Sequence, residues 1–429
     1  MYISKIELKN VKGFRDLSFD LDRGKGEFAG WTVFTGDNGS GKSTLLKAIA
    51  VCLTGTDNAR ALQTSFYKWL SADEIHGYVE LGIVRTVEDD YFVAKGRQAK
   101  KFPARVTFLD FGDEVALNDP GSDFREANTT PSRTIWSKSS SGWFSCGYGP
   151  FRRVFGASPE ATRQMVSAST ERYVTMFQEA ASLFEVDRWL KDLRFRNLAG
   201  QTAEGEQLSI LLEILRDELL PNGFTVDRVD PDGLILKDRD GVELAWSEMS
   251  DGYRSALALL ADILRHLIGT FGIEDLTGRD ASGKLFVKRS GVVLIDEIDS
   301  HLHPAWQRDI GFWLTRHFPK IQFLVTTHSP LICQAAFQKG LFVLPSPGSD
   351  EAPRQLTDEE YQTVITSRPD TILLSSLFGL QNTRSEPVVE ARAEYAELEA
   401  KLAAGGTLTA AEKAAMDNLY PLAINDEEL

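Results

Sequence analysis

The chain has 429 residues, 42% hydrophobic and 25% charged, which is enough apolar sequence for one large α/β domain with insertions or for two or three smaller domains. A formal net charge of −15 excludes a protein that wraps nucleic acid through its general field, so any such contact must use a local basic patch. Three scattered cysteines (Cys52, Cys146, Cys333) without a C-x-x-C pair argue against a disulfide scaffold or a structural zinc, and no apolar run approaches membrane-span length, so a soluble, cytoplasmic protein is expected.

Taken in order, Tyr2–Val11 and Phe14–Leu21 alternate in a strand-like way and predict two strands paired across Lys12-Gly13. Trp31–Thr35 is a β-branched and aromatic run that reads as a buried strand. It leads into Gly36-Asp37-Asn38-Gly39-Ser40-Gly41-Lys42-Ser43-Thr44, which matches G-x-x-x-x-G-K-[ST], and then into the helix-forming Leu45–Val51. Strand, glycine turn and helix start together aim backbone N–H groups and a helix N-terminus at a phosphate. Lys42 suits the β/γ-phosphates and the Ser43 hydroxyl suits Mg²⁺, so this stretch predicts binding of a nucleoside triphosphate.

Asp57–Asp73 reads as a polar loop containing Gln63, followed by strands over Gly77–Val87, Tyr91–Ala94 and Arg105–Phe111. Residues 112–150 read as an irregular but packed segment, with turn signals interleaved among Trp136, Trp143 and Tyr148. Pro159–Leu220 has helical periodicity, and Phe224–Val229 with Gly233–Lys237 form a hairpin. Met249-Ser250-Asp251-Gly252-Tyr253-Arg254 then opens a helix to about Gly269. Ser250 there is either a plain N-cap or part of a signature loop that binds, with Gly252, the γ-phosphate held by a second subunit.

Val292–Ile295 is an apolar strand ending in Asp296-Glu297, a Walker B pattern. It carries Asp296 to the sheet's carboxyl edge to hold Mg²⁺ and places Glu297 to orient and deprotonate the attacking water. Phe323–Thr326 is a second such strand and delivers His328, read as a γ-phosphate sensor that positions the water. The tail holds two helices, about Val388–Ala404 and Ala410–Asn418, the second with a Thr409/Glu412 capping box.

As a set, Gly36–Thr44, Ser250–Arg254, Ile295-Asp296-Glu297 and Thr327-His328-Ser329 resemble the ATPase heads of the ABC superfamily. The run Asp-Glu-Ile-Asp-Ser-His-Leu-His-Pro, Asp296 to Pro304, is similar to the branch of RecF-like proteins, OLD-family ATPases and Septu-type or retron-associated phage-defence ATPases. The resemblance covers about residues 1–345 and implies an α/β P-loop head with a mixed sheet core. It divides the head into an N-terminal antiparallel β part with the phosphate loop (1–111), an inserted loop and helical lobe (112–245), and a third part with the signature, Walker B, D-loop and His motif (246–345). A helical tail (346–429) follows.

The resemblance further implies ATP and Mg²⁺ as cofactors and Glu297 and His328 as catalytic residues. Gly36, Asn38, Gly39, Ser40, Gly41, Lys42, Ser43, Thr44, Ser250 and Gly252 would bind ATP, with Ser43, Asp296 and Gln63 (in place of a Q-loop) on the metal. In an ATP-sandwiched homodimer, Ser250 and Gly252 of one chain would complete the site of the other, and Ser300–His303 would be the D-loop crossing the interface. Ser-Asp-Gly-Tyr-Arg departs from the transporter signature Leu-Ser-Gly-Gly-Gln, no long heptad arm separates phosphate loop from signature, and no Asp-x-Asp of a Toprim nuclease follows His328.

The chain thus reads as the ATPase half of a system, regulating a separate nuclease or other effector in anti-phage defence. The alternative is a RecF-like DNA-binding ATPase of repair or recombination. Basic clusters at Arg97–Arg105, Arg152-Arg153 and Arg188–Arg196 either touch DNA or RNA or are solvated faces and ion pairs. Phe14 and Arg15 either contact the base or pack the first hairpin, and the stripe of Tyr395, Leu398, Leu402, Leu419 and Leu422 either packs on its own core or docks a partner.

Overall fold

The helix Lys42–Leu62 lies at the centre of the head. Leu45, Leu46 and every residue from Ala48 to Leu53 are buried. A surface helix shows one apolar stripe; this one is apolar on all sides because a sheet covers it on each. The computed structural model describes residues 1–90, 99–118, 131–137, 142–152, 168–178, 183–349 and 351–424. The expected strand Tyr91–Ala94, Arg97, Arg153, most of the turn signals within 119–141 and the start of the helical stretch at Pro159 lie outside these residues.

The described strands are β1 (Tyr2–Val11), β2 (Phe14–Asp20), β3 (Gly30–Gly36), β4 (His76–Val84), β5 (Lys101–Asp110), β6 (Val115–Asn118), β7 (Ser145–Tyr148), β8 (Thr225–Asp230), β9 (Gly233–Lys237) and β10 (Glu243–Ala245). They continue with β11 (Thr277–Arg279), β12 (Leu285–Val287), β13 (Gly291–Ile295), β14 (Ile321–Thr326), β15 (Leu341–Leu344) and β16 (Arg354–Gln355). One sheet is antiparallel, in the order β2-β1-β4-β5-β6. The other has the order β16-β15-β3-β14-β13-β7, parallel throughout except for β16 at its edge. The mixed-sheet α/β head with an antiparallel N-terminal part is therefore present. Gln322 on β14 joins the two sheets: its Oε1 accepts from the Ile3 amide and its Nε2 donates to the Ile3 carbonyl, both at 2.8 Å. A buried amide paired in this way costs little and fixes the relative position of the layers.

The first hairpin forms as expected, with Val11 opposite Phe14. Two expectations change. Asp57–Leu62 is not loop but helix, set off from the central helix by a kink at Gly55 (φ 78°), where a Cβ would lie 2.8 Å from the Trp136 ring. Ser145–Tyr148, expected to be irregular, is a fully buried strand paired in parallel with Val292–Ile295. Its Ser-Cys-Gly-Tyr sequence has no β-branched residue, so packing rather than propensity makes the strand.

Helices Phe184–Leu198 and Thr202–Arg216 pack on the small sheet β10-β9-β8 and on helix Asp251–Phe271. Met1–Ser367 forms one compact unit and Arg368–Leu429 a second. Within the second unit, helices Glu386–Ala403 and Ala410–Ile424 pair, and Tyr395 meets Tyr420 edge-on at 6.1 Å. Thr409 and Glu412 cap the last helix reciprocally, Glu412 N donating to Thr409 Oγ1 and Thr409 N to Glu412 Oε2. Cys52, Cys146 and Cys333 are buried free thiols. Among the described residues no helix is long and apolar enough to cross a membrane.

Candidate nucleotide site

Three neighbouring parallel strands, β3, β14 and β13, end at the same sheet edge. Gly36 closes β3, Thr327-His328 follow β14, and Asp296-Glu297 follow β13. Residues far apart in sequence therefore meet at the carboxyl edge, the usual ligand position in parallel α/β sheets.

The phosphate loop turns through Gly36, Gly39 and Gly41 with positive φ and enters the central helix at Lys42. At Gly41 (φ 96°) a Cβ would lie 2.6 Å from Cζ of Phe14, so only glycine fits. Phe14 is itself buried and supports this turn, so it takes the packing role of its two expected ones. Asn38 and Gly39 are exposed on the loop, while Ser43 and Thr44 are half-buried at the helix start. Ser346 donates to Asp37, tying the segment after β15 to the loop. Lys42 is buried, and its ammonium donates to the carbonyls of Gly36 (2.9 Å) and Asp37 (2.8 Å). Burial pushes its pKa down, against the pull of Asp296, Glu297, Asp37 and Asp299.

Asp296 is 1% exposed. Its Oδ1 accepts from Thr326 Oγ1 (2.6 Å), and the same hydroxyl oxygen accepts from the Glu297 amide (2.7 Å). Glu297 lies in the left-handed region at φ 46°, uncommon for a non-glycine residue and typical of functional turns. Its Oε2 accepts from Ser300 Oγ at 3.0 Å. His328 is half-buried; burial and then Lys42 push its pKa down, which keeps the imidazole neutral and able both to donate and to accept.

The segment Asp299–His303 follows directly. Thr327 Oγ1 donates to Asp299 Oδ1 (2.5 Å), Gln307 Nε2 to the Leu302 carbonyl (2.8 Å), and Ser329 Oγ to Gln307 Oε1 (2.7 Å). Ser250 is the N-cap of helix Asp251–Phe271 by position, yet it is exposed and makes no side-chain cap bond. Gly252 abuts the segment Asp299–His303: a Cβ there would sit 2.4 Å from the His301 carbonyl oxygen. Gly252→Ala is accordingly expected to displace one of the two segments and to lower hydrolysis by about 10- to 100-fold, since small misplacements cost about that much. The check is steady-state ATPase assay beside a melting curve, with overpacking costing on the order of 1–3 kcal/mol.

Lys42, Asp296, Glu297, Asp299 and His328 are thus brought within electrostatic reach of one another. Gln63 is not among them. It follows the last turn of the helical segment beyond the Gly55 kink, and its Nε2 donates to the Ser65 carbonyl. Asp57–Leu62, expected as loop, is helix, so Gln63 stands at a helix end and not within the expected polar loop. The basic clusters also resolve in part. Arg105 pairs with Glu80 (2.6 Å) and Arg196 with Asp192 (2.9 Å), while Arg152 is only 3% exposed and so belongs to no surface patch.

The residues present fit a hard divalent cation bound together with a triphosphate. Asp296 Oδ2 is buried without a hydrogen-bond partner, as is Ser40 Oγ in the phosphate loop. Among the described residues no group of three or more His, Cys, Asp or Glu could hold a metal ion alone. The unpartnered Asp296 oxygen suits Mg²⁺, which keeps few protein ligands and takes phosphate oxygens for the rest.

A family model described as "AAA domain, putative AbiEii toxin, Type IV TA system" matches residues 106–334, and a second, described as "AAA domain", matches residues 5–141. The Septu protein PtuA of Bacillus mycoides (strain KBAB4) is 25% identical over 394 residues, 89% of this chain and 45% of that protein. The Retron Ec83 probable ATPase of Escherichia coli is 26% identical over 416 residues, 82% of this chain and 73% of that protein. The Retron Vc95 probable ATPase of Vibrio cholerae serotype O1 biovar El Tor is 24% identical over 385 residues, 77% of this chain and 71% of that protein. The chain therefore spans about half the length of the first of these relatives and under three quarters of the others. With more than half of its residues matched by the first model, the chain belongs to this AAA-domain family.

Proposed function

We propose that the chain is a Mg²⁺-dependent ATPase that dimerises around ATP and acts as sensor or regulator of a separate effector, a nuclease by class, in anti-phage defence. The observation that carries the enzymatic part is the Asp296-Glu297 turn. One buried carboxylate oxygen is left unpartnered, and the next residue is held in a left-handed conformation beside Lys42 and His328. The relatives named as Septu and retron proteins support the defence role.

In this reading the loop amides, the helix N-terminus and Lys42 bind the β- and γ-phosphates. Ser43 and Asp296 would hold Mg²⁺, which when bound neutralises charge on the phosphate oxygens. Glu297 takes the proton of the attacking water, and Ser300 keeps its carboxylate aimed. Neutral His328 orients that water against the γ-phosphate. Ser250 and Gly252 present a helix N-terminus for the γ-phosphate of a second copy. The site is then complete only in the dimer, which makes nucleotide state readable by a partner.

The test is a plating assay in which the gene and its flanking genes are moved together into a phage-sensitive host. Protection with the native chain and its loss with Lys42→Ala is the expected result. Protection that survives Lys42→Ala overturns the reading.

A further inference from the structure

Arg152 is buried at 3% exposure although it lies just four residues beyond β7. Its Nη1 donates to the carbonyls of Gly149 (3.0 Å) and Asp296 (2.7 Å), and its Nη2 to that of Glu297 (2.9 Å). The Ile298 and Ser300 carbonyls stand at 3.5 and 3.4 Å from the same Nη2. The bonds to Asp296 O and Glu297 O pin the peptide planes on both sides of Glu297, the residue with the left-handed backbone. A planar fork of donors can hold such a row of carbonyls; an ammonium, a point charge on a flexible stem, cannot. On its other side, the Arg152 carbonyl accepts from Ser255 Oγ (3.0 Å), which is on the first turns of helix Asp251–Phe271. Burial pushes the guanidinium pKa down to about 10, with Asp296, Asp299 and Glu297 opposing, so it remains cationic at neutral pH.

We infer that Arg152 is a positioning residue that sets the backbone of the 296–300 turn and fastens it, through Ser255, to the signature helix of the same chain. This rests on the ATP-sandwiched dimer proposed above. In that dimer each chain offers its Asp296-Glu297 turn to one ATP and its Ser250–Gly252 loop to the other. Turn and helix, joined through Arg152 and Ser255, move together, so occupancy of one site changes the geometry of the second. Gly252 packed on the His301 carbonyl is a second link between the same two segments, and it runs in the same direction.

The experiment compares Arg152→Lys and Ser255→Ala with the native full-length chain. The readouts are ATP affinity by a fluorescent nucleotide, kcat and Hill coefficient of hydrolysis, and melting temperature. Ser255→Ala removes one hydroxyl and keeps the helix, so it remains informative if Arg152→Lys folds poorly. The expected result is ATP affinity within about threefold of native, kcat lowered about 10- to 100-fold in Arg152→Lys, and a Hill coefficient that falls from above 1 towards 1 in both variants. Unchanged kcat and Hill coefficient in both overturn the inference. A fall of affinity and melting temperature in step with kcat overturns it as well, because that pattern belongs to a merely structural arginine. The dimer is read separately, by sedimentation of Glu297→Gln with ATP. A monomer there removes the sandwich, whereas a dimer with an unaltered Hill coefficient in Ser255→Ala removes only the coupling.

Discussion

Glu297→Gln is expected to lower ATP hydrolysis by about 10²- to 10⁴-fold while leaving ATP affinity nearly unchanged, and to accumulate an ATP-bound dimer. The amide keeps the size of the carboxylate and can still accept from Ser300 Oγ, so the turn held by Thr326 and Arg152 is preserved. What is lost is the capacity to take a proton from water. Lys42 and the phosphate loop are untouched, which is why binding survives. Because hydrolysis is the step that would release the second copy, blocking it should shift the sedimentation profile from monomer to dimer at saturating ATP and Mg²⁺. A variant that hydrolyses slowly yet sediments as a monomer would falsify the sandwich.

Ser250→Arg is expected to abolish hydrolysis to a similar extent while the isolated chain still binds ATP with native affinity. Ser250 is exposed, makes no capping bond, and opens the helix whose next turns carry Gly252 and Ser255. Losing an unused cap costs little, so a purely structural effect would be small. A bulky cation at this point would instead obstruct the approach of a second nucleotide-loaded copy. Mixing supplies a sharp control. Ser250→Arg chains combined with Lys42→Ala chains can form one composite site with an intact phosphate loop on one side and an intact signature on the other. That site regains activity only if the two motifs act across an interface; failure to regain any, with both variants folded, places Ser250 in its own chain's helix alone.

Much of the site was legible in the linear chain because each part is a local device. The phosphate loop needs glycines at set offsets and a lysine at a helix start, and Gly36–Thr44 has them within nine residues. An apolar strand carries the polar residues at its end to a sheet edge whatever the rest of the chain does, as Val292–Ile295 does for Asp296-Glu297 and Phe323–Thr326 for His328. Their convergence could be anticipated from the parallel arrangement such strands adopt. Gln63 is harder to read for the opposite reason: its place depends on the kink at Gly55 and on where the helix after it stops, neither of which short-range spacing sets.

The sequence by itself determined the local devices of this protein: a glycine-rich turn with a lysine at a helix start, a carboxylate pair at one strand end and a histidine after another, each set by short-range residue spacing. Only the tertiary structure decided which strand lies beside the Asp296 strand and where an arginine from its far side ends. The run Ser145–Tyr148 has weak strand propensity and becomes a strand because β13 offers a parallel partner in a fully buried sheet. Arg152 looks, in the linear chain, like any surface cation. It is buried because that same strand delivers it beneath the Asp296–Ser300 turn, where a row of backbone carbonyls needs donors and three acidic side chains favour a positive charge.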